Sequence, residues 1–285
     1  MRGKIVLLGL LFSFISAGAH AQAKLPTTTQ DDIYCSGTVT TEAVPHDHYV
    51  ISGEESEFVN TFQEGAYVYI NEGASQGVKV GDEFTVIRPV DEFHGVQWSK
   101  WQYSILKKLG QAWEDEGRLR VVVALPETSI AQIENSCNYI QRGDVVLPFV
   151  QRPTPPVKSS ANFDRFAPPS GKATAMIITG KGFLISGGTN NIVYVNLGNS
   201  QGVKVGDYFR IFRYTGQQHE EVYQDKRVAF EVYGYGSVPA KYNWSNVPRE
   251  VIGEGVVVRT APNASTVLVT FSLREFYVGD YVELE

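Results

Sequence analysis

The eight-residue string SQGVKVGD occurs twice in this chain, at residues 75–82 and again at 200–207. Eight consecutive identities point to internal duplication, and the flanking residues extend it. Val50-Ile51-Ser52-Gly53 and Val68-Tyr69-Ile70-Asn71 precede the first copy, and Glu83-Phe84-Thr85-Val86-Ile87-Arg88 follows it. Ile177-Ile178-Thr179-Gly180, Val193-Tyr194-Val195-Asn196 and Tyr208-Phe209-Arg210-Ile211-Phe212-Arg213 stand in the same places around the second. After an insertion, the stretches from Gly117 to Gly143-Asp144 and from Gly253 to Gly279-Asp280 align without a gap. A catalytic apparatus seldom needs two full copies in one chain, whereas a structural or binding module often does.

Each copy reads as β structure. Short β-branched and aromatic runs, bounded by glycine and aspartate, mark strands at 68–71, 84–88, 119–124 and 145–149, with counterparts in the second copy. The shared turn residues are Gly77, Gly81, Asp82, Gly143 and Asp144, then Gly202, Gly206, Asp207, Gly279 and Asp280. Glycine supplies unusual φ there, and aspartate closes the turn through its side chain. Five or six short strands with frequent turns fit a small closed sheet that leaves no open edge. The expected fold is mainly β: two tandem small β-barrel (SH3-like) domains, with one helical insertion in the first. The first domain spans 22–147 and the second 172–285, joined by a proline-rich, stiff and extended linker at 148–171.

The insertions differ. Residues 97–113 place Trp98, Trp101, Ile105, Leu109 and Ala112 near a helical stripe, which predicts one amphipathic helix. The second insertion, 215–251, is rich in Tyr, Gly and Pro and reads as an extended hairpin or irregular loop. Trp98, Trp101, Trp113, Tyr233, Tyr235, Tyr242 and Trp244 all lie in these insertions, where aromatics form a contact surface or cover the barrel ends.

Residues 1–21 read as a secretory signal peptide, with Arg2 and Lys4 before an apolar run and Ala19-His20-Ala21 at the cleavage site. The apolar run at 5–15 covers about 17 Å as a helix, short of a hydrocarbon core of about 30 Å. No later run is long enough to span a membrane. Without that peptide, 31 acidic and 23 basic residues remain, a net charge of −8, which argues against nucleic acid as partner. Cys35 and Cys137, the two cysteines, are expected to pair in an oxidising compartment and to tie the N-terminal segment to the first domain.

The pattern Asn-x-Gly-x-x-x-Gly-Val-Lys-x-Gly-Asp-x-Phe, running from Asn71 to Phe84 and from Asn196 to Phe209, resembles the C-terminal domain of flagellar assembly protein T. Gly143-Asp144-Val145-Val146 and Gly279-Asp280-Tyr281-Val282 complete it. The whole chain is also similar to secreted acidobacterial proteins of unassigned function. The resemblance implies a small barrel, an envelope location, and assembly or binding.

Three sets of residues offer chemistry. Residues 73–77 and 198–202 match Gly-x-Ser-x-Gly around Ser75 and Ser200, but a nucleophile elbow needs a helix after the serine, and here glycines and another strand follow. His46 and His48 alternate as metal ligands on a strand would, without an obvious third ligand. Glu114-Asp115-Glu116 and Glu54-Glu55 read as solvated faces. The reading is therefore an exported, non-enzymatic assembly or binding module of the bacterial cell envelope, periplasmic, extracellular or outer-membrane-associated. Its partners are envelope proteins or peptidoglycan, it needs no cofactor or metal, and a glycan binder or a serine hydrolase is the alternative.

Overall fold

The computed structural model describes residues 27–55, 57–90, 99, 102–214 and 249–285. A short helix, α1 (Gln30–Tyr34), is capped by Thr29 and leads into β1 (Thr38–Thr40). The first repeat continues through β2 (Val50–Gly53), β3 (Thr61–Phe62), β4 (Tyr67–Ile70) and β5 (Glu83–Val90). Helix α2 (Gln102–Leu109) follows, then β6 (Gln111–Ala124), β7 (Ser129–Ser136), β8 (Ile140–Gln141) and β9 (Val145–Pro148). The second repeat holds β10 (Thr174–Gly180), β11 (Ser186–Gly187), β12 (Ile192–Val195), β13 (Tyr208–Tyr214), β14 (Arg249–Thr260), β15 (Ser265–Ser272), β16 (Phe276–Tyr277) and β17 (Tyr281–Leu284).

Strand order repeats with the sequence. The second half is a closed barrel, β10-β12-β15-β14-β13-β17. The first half places its equivalents in the order β2-β4-β7-β6-β5-β9, within one seven-stranded sheet that β1 extends by pairing with β6. Where β10 and β17 share a three-residue ladder in the second half, the first half has a single bridge, Tyr49 to Val145. Around it Val50 N–H donates to the Asp144 carbonyl and Val146 N–H to that of His48. The small ribbons β3–β8 and β11–β16 also correspond. The protein is thus mainly β, with one fully closed barrel.

Alternation accounts for the cores. Val68 and Ile70 of β4 point inward to Val86, Leu119 and Ile133, while Tyr67 and Tyr69 face out. In the second half Val193 and Val195 meet Phe209, Ile211 and Val267. At all four Gly-Asp turns the glycine takes positive φ (Gly81 95°, Gly143 87°, Gly206 94°, Gly279 97°). Each aspartate then accepts a hydrogen bond from the backbone three residues earlier, at Lys79, Gln141, Lys204 and Tyr277 (2.7–2.8 Å). Asp144 and Asp280 also bind a guanidinium from β5 and β13 respectively, Arg88 (2.7 and 2.8 Å) and Arg213 (2.6 and 2.5 Å).

The halves do not hang apart on their linker. Leu106 and Leu109 of α2, with Val39 and Ala112, pack on Ile178, Ile192, Tyr194, Val256 and Leu268 of the barrel. Polar contacts lock this seam. Tyr194 Oη donates to the Ser36 carbonyl (2.9 Å), Thr266 Oγ1 to that of Gly37 (3.1 Å), and Gln102 Nε2 to that of Ile178 (2.8 Å). Gly37, at φ +66°, has no room for a Cβ, which would lie 2.4 Å from Tyr194 Oη. The fully buried Asp115 carboxylate accepts from Gly37 N (2.8 Å), Arg152 (3.4 Å) and Arg259 (3.4 Å), joining N-terminal segment, linker and barrel.

Three expectations need correction here. The helix is shorter than 97–113, because Gly110 at φ +96° ends it, and Trp113 belongs to β6. The carboxylates at 115 and 116 are not a solvated face. A bulge opposite Val86 and Ile87 turns both inward, leaving neither exposed. The linker is docked: Thr28 N–H donates to the Pro155 carbonyl, Lys158 N–H to Tyr208 Oη, and Ala167 is buried beside Phe212 and Val251.

Replacing Asp115 with alanine leaves two guanidiniums facing each other without their anion. The expected loss is about 2–3 kcal/mol by urea denaturation, below that of a fully buried pair because both arginines keep partial access to water. A change under about 0.5 kcal/mol, the scale of an ordinary surface substitution, would contradict this role for Asp115.

Candidate functional site

The outer faces of the two sheets differ in one respect. In the second repeat, the row Arg259–Thr266–Tyr194–Thr179 crosses β14, β15, β12 and β10 and lies under the first repeat. Its counterpart in the first repeat is Val123–Ile130–Tyr69–Ser52, across β6, β7, β4 and β2. No described residue of α2 or β1 packs on this row. Val123 is 40% exposed, Ile51 beside Ser52 is 39%, and Tyr49 and Leu125 at the margins are 41% and 45%. Tyr67, Tyr69 and Ile130 are half-buried. Val123, Ile130 and Tyr69 thus form a partly exposed apolar row across three adjacent strands, with Ser52 continuing it on the fourth.

The rim of this surface is ionic. Arg120 pairs with Glu83 (2.5 Å) and with Glu134, and Arg118 lies 3.7 Å and 3.6 Å from the same two carboxylates. Polar rim and tyrosine-bearing centre are the usual build of a non-obligate protein contact.

Beyond the rim, Tyr34, Arg118, Glu134 and Phe149 line a cleft of about 160 Å³. The Tyr34 and Phe149 ring centroids are 5.1 Å apart. A second, more open cleft of about 390 Å³ lies between α1 and the barrel, with Asp31, Asp32, Lys181 and Asn191 in its walls.

The residues singled out from sequence fall in several places. The ten turn glycines and aspartates shape backbone; Gly77 and Gly202, at φ 98° and 89°, each end a three-residue 3-10 turn. Ser75 and Ser200 sit exposed inside those turns, and no longer helix follows. The Gln76 N–H, which an elbow would aim at an oxyanion, is bonded to the Gly73 carbonyl (3.0 Å), and Gln201 repeats this with Gly198 (3.1 Å).

His46 packs edge-on against Trp113 at 5.3 Å, and His48 lies 3.7 Å from Glu72. Among the described residues no three acidic, histidine or cysteine side chains gather as a metal site. Cys35 and Cys137 form a disulfide, joining the end of α1 to the loop after β7.

Trp113 is buried against Ile87 and Val145, so it offers no surface. Trp98, Trp101, Tyr233, Tyr235, Tyr242 and Trp244 lie outside the described residues, as does most of insertion 215–251; its last three residues belong to β14. The exposed row itself was missed from sequence. Comparing Val123, Ile130 and Tyr69 with Arg259, Thr266 and Tyr194 across the alignment would have found it.

Glu116 is a fully buried carboxyl held well above the usual carboxylate range. Ile252 fills the equivalent place in the second repeat. Burial pushes Glu116 up to about 7; Arg88 at 3.4 Å opposes this, while Asp144 and Glu114 add to it. Neither of its carboxyl oxygens holds a hydrogen bond of good geometry.

No protein-family model and no curated protein matches this chain.

A raised acid pKa means that the folded protein holds its proton more tightly than the unfolded chain does. The Glu116 contribution is therefore intact below about pH 4.5 and is lost as pH rises towards about 7, an effect of about 2–4 kcal/mol. Glu116→Gln should flatten this part of the pH profile and be the more stable protein at pH 8, by urea denaturation at pH 5 and 8. Equal pH slopes in the two proteins would contradict the assignment.

Proposed function

We propose that this protein is an exported, non-enzymatic assembly or binding module of the cell envelope. It consists of two sibling β-barrel repeats that present inserted segments and uncovered sheet faces to other proteins. The observation that carries the reading is internal. Helix α2, inserted between β5 and β6, already serves as a contact element by covering the outer face of the barrel. The matching face of the first repeat, around Tyr69, Ile130 and Val123, is uncovered by any described element. The likeness of the repeats to the C-terminal domain of flagellar assembly protein T supports the same class of role. The disulfide supports an oxidising compartment. Among the described residues no helix is long and apolar enough to cross a membrane.

A glycan-binding reading draws on the cleft between Tyr34, Phe149, Arg118 and Glu134, where two tilted aromatic rings adjoin charged groups. The two readings separate on one variant. Tyr69→Asp, at the centre of the face and away from that cleft, should abolish retention of envelope proteins on the immobilised chain while leaving its thermal midpoint within about 2 °C. Sedimentation with purified peptidoglycan that is unchanged by Tyr69→Asp would favour the glycan reading instead. Covalent labelling of Ser75 or Ser200 by a fluorophosphonate would overturn the non-enzymatic one.

A further inference from the structure

The edge strands of the two repeats meet differently. In the second repeat β10 and β17 share a ladder, Thr174, Ala175 and Met176 against Glu283, Val282 and Tyr281. In the first repeat the single bridge Tyr49–Val145 stands in its place. Three backbone hydrogen bonds surround that bridge: Val50 N–H to the Asp144 carbonyl, Val146 N–H to that of His48, and Gly143 N–H to that of Val50 (2.8–2.9 Å). The turn at Gly143-Asp144 therefore carries much of the closure between β2 and β9.

The charge beside this closure differs as well. In both repeats the turn aspartate grips an arginine through two oxygens, Asp144 with Arg88 and Asp280 with Arg213. Only the first repeat adds a second carboxyl. Glu116 is wholly buried, with Oε1 3.4 Å from Arg88 Nη1, whereas Ile252 occupies the equivalent position in the second repeat. Arg88 commits Nε and Nη2 to Asp144, and Nη2 also to the Tyr139 carbonyl. One guanidinium thus stands between two buried carboxyls, and neither Glu116 oxygen is hydrogen-bonded. A single cation does not offset two anions away from water, so the closed form carries Glu116 as the neutral acid.

The groups around Glu116 reinforce this. Among the described residues, Arg88 faces it from β5, Asp144 from the turn before β9, and Glu114 from β6 itself. The Asn138 amide approaches from the loop after β7, and the Tyr139 ring lies over Arg88 at 4.8 Å. Arg88 is the cation of the set, and both other charged groups are acids.

We propose that Glu116 is a pH-sensitive latch on the first repeat. With its proton in place the closure at Tyr49–Val145 is shut. Loss of the proton draws Arg88 from Asp144, slackens the Gly143-Asp144 turn and parts β2 from β9, while the second repeat stays closed.

The direction follows from where the proton is held more tightly. Burial holds Glu116 at about 7 in the closed form, above its ordinary value of 4.5. Opening therefore becomes easier as pH rises between those two values and levels off above them. The open form bares the edges of β2 and β9, with Val50 and Val146 of the first core.

Hydrogen–deuterium exchange with mass spectrometry on the intact, disulfide-bonded chain tests the proposal at pH 5 and pH 8. Rates are corrected for the intrinsic pH dependence of amide exchange, and short labelling times select local opening. Segments 48–52 and 143–147 should lose protection at least about tenfold at pH 8 relative to segments 175–179 and 279–283 of the second repeat. Over the same times β6 and β7 should keep theirs. Glu116→Gln preserves the shape but has no proton to lose, and should abolish the difference. Glu116→Ile, the residue of the second repeat, should do the same and serves if the glutamine variant does not fold. The comparison between repeats in the wild-type chain needs neither variant. An equal pH response of the two closures, loosening of β6 and β7 together with the first closure, or a folded variant that keeps the effect would overturn the latch.

Discussion

Asp115 holds this molecule together. Its carboxylate is wholly buried and is reached from three parts of the chain, by Gly37 N–H at 2.8 Å and by Arg152 and Arg259 at 3.4 Å. Burying an anion is tolerable only where donors and cations surround it. Those donors come from three different segments, the N-terminal segment, the linker and the second barrel. Satisfying this one charge therefore acts together with the seam's hydrogen bonds to set how the two repeats lie against each other. It also brings α2 and β1 onto the barrel, where the apolar seam supplies the driving force. The anion sets the register and the seam supplies most of the burial.

Much of the architecture could be read in the sequence, because the duplication multiplies weak signals. A Gly-Asp pair is ambiguous alone; four at matching positions, each beside β-branched residues, are not. The strands around Val68, Phe84, Val145 and Tyr281 were readable for that reason, whereas the Cys35–Cys137 pair was readable because these are the two cysteines of a chain expected to be exported. The errors came where local pattern and tertiary context part. The apolar stripe through Trp98, Trp101, Ile105 and Leu109 continues in phase to Ala112, which hides the stop at Gly110. A carboxylate run signals solvent unless a strand bulge intervenes, and nothing local announced the bulge at Glu116. Proline content made 148–171 look like a spacer, whereas Arg152, Pro155 and Ala167 pin it down.

The candidate surface was harder to read, for a physical reason. Outward positions of a strand carry little periodic signal, since tyrosine, valine and isoleucine there resemble core residues of the neighbouring register. Only the difference between repeats is informative. Where the barrel has Thr266 and Arg259 bonded to the first repeat, the first repeat has Ile130 and Val123 with no described element above them. The turn residues, the most repeated part of the sequence, shape backbone. What distinguishes one repeat from the other is what was inserted into it and what its outer face meets.

The central claim is that α2 is a contact element, held in place by the second barrel rather than by itself. An eight-residue helix is too short to persist alone in water. Hydrogen–deuterium exchange followed by mass spectrometry on the intact chain therefore tests the claim directly. The amides of Gln102–Leu109 should be protected to the same degree as those of β12 and β15 beneath them. Exchange of that segment at the rate of an unstructured peptide, with the barrel still protected, would contradict it.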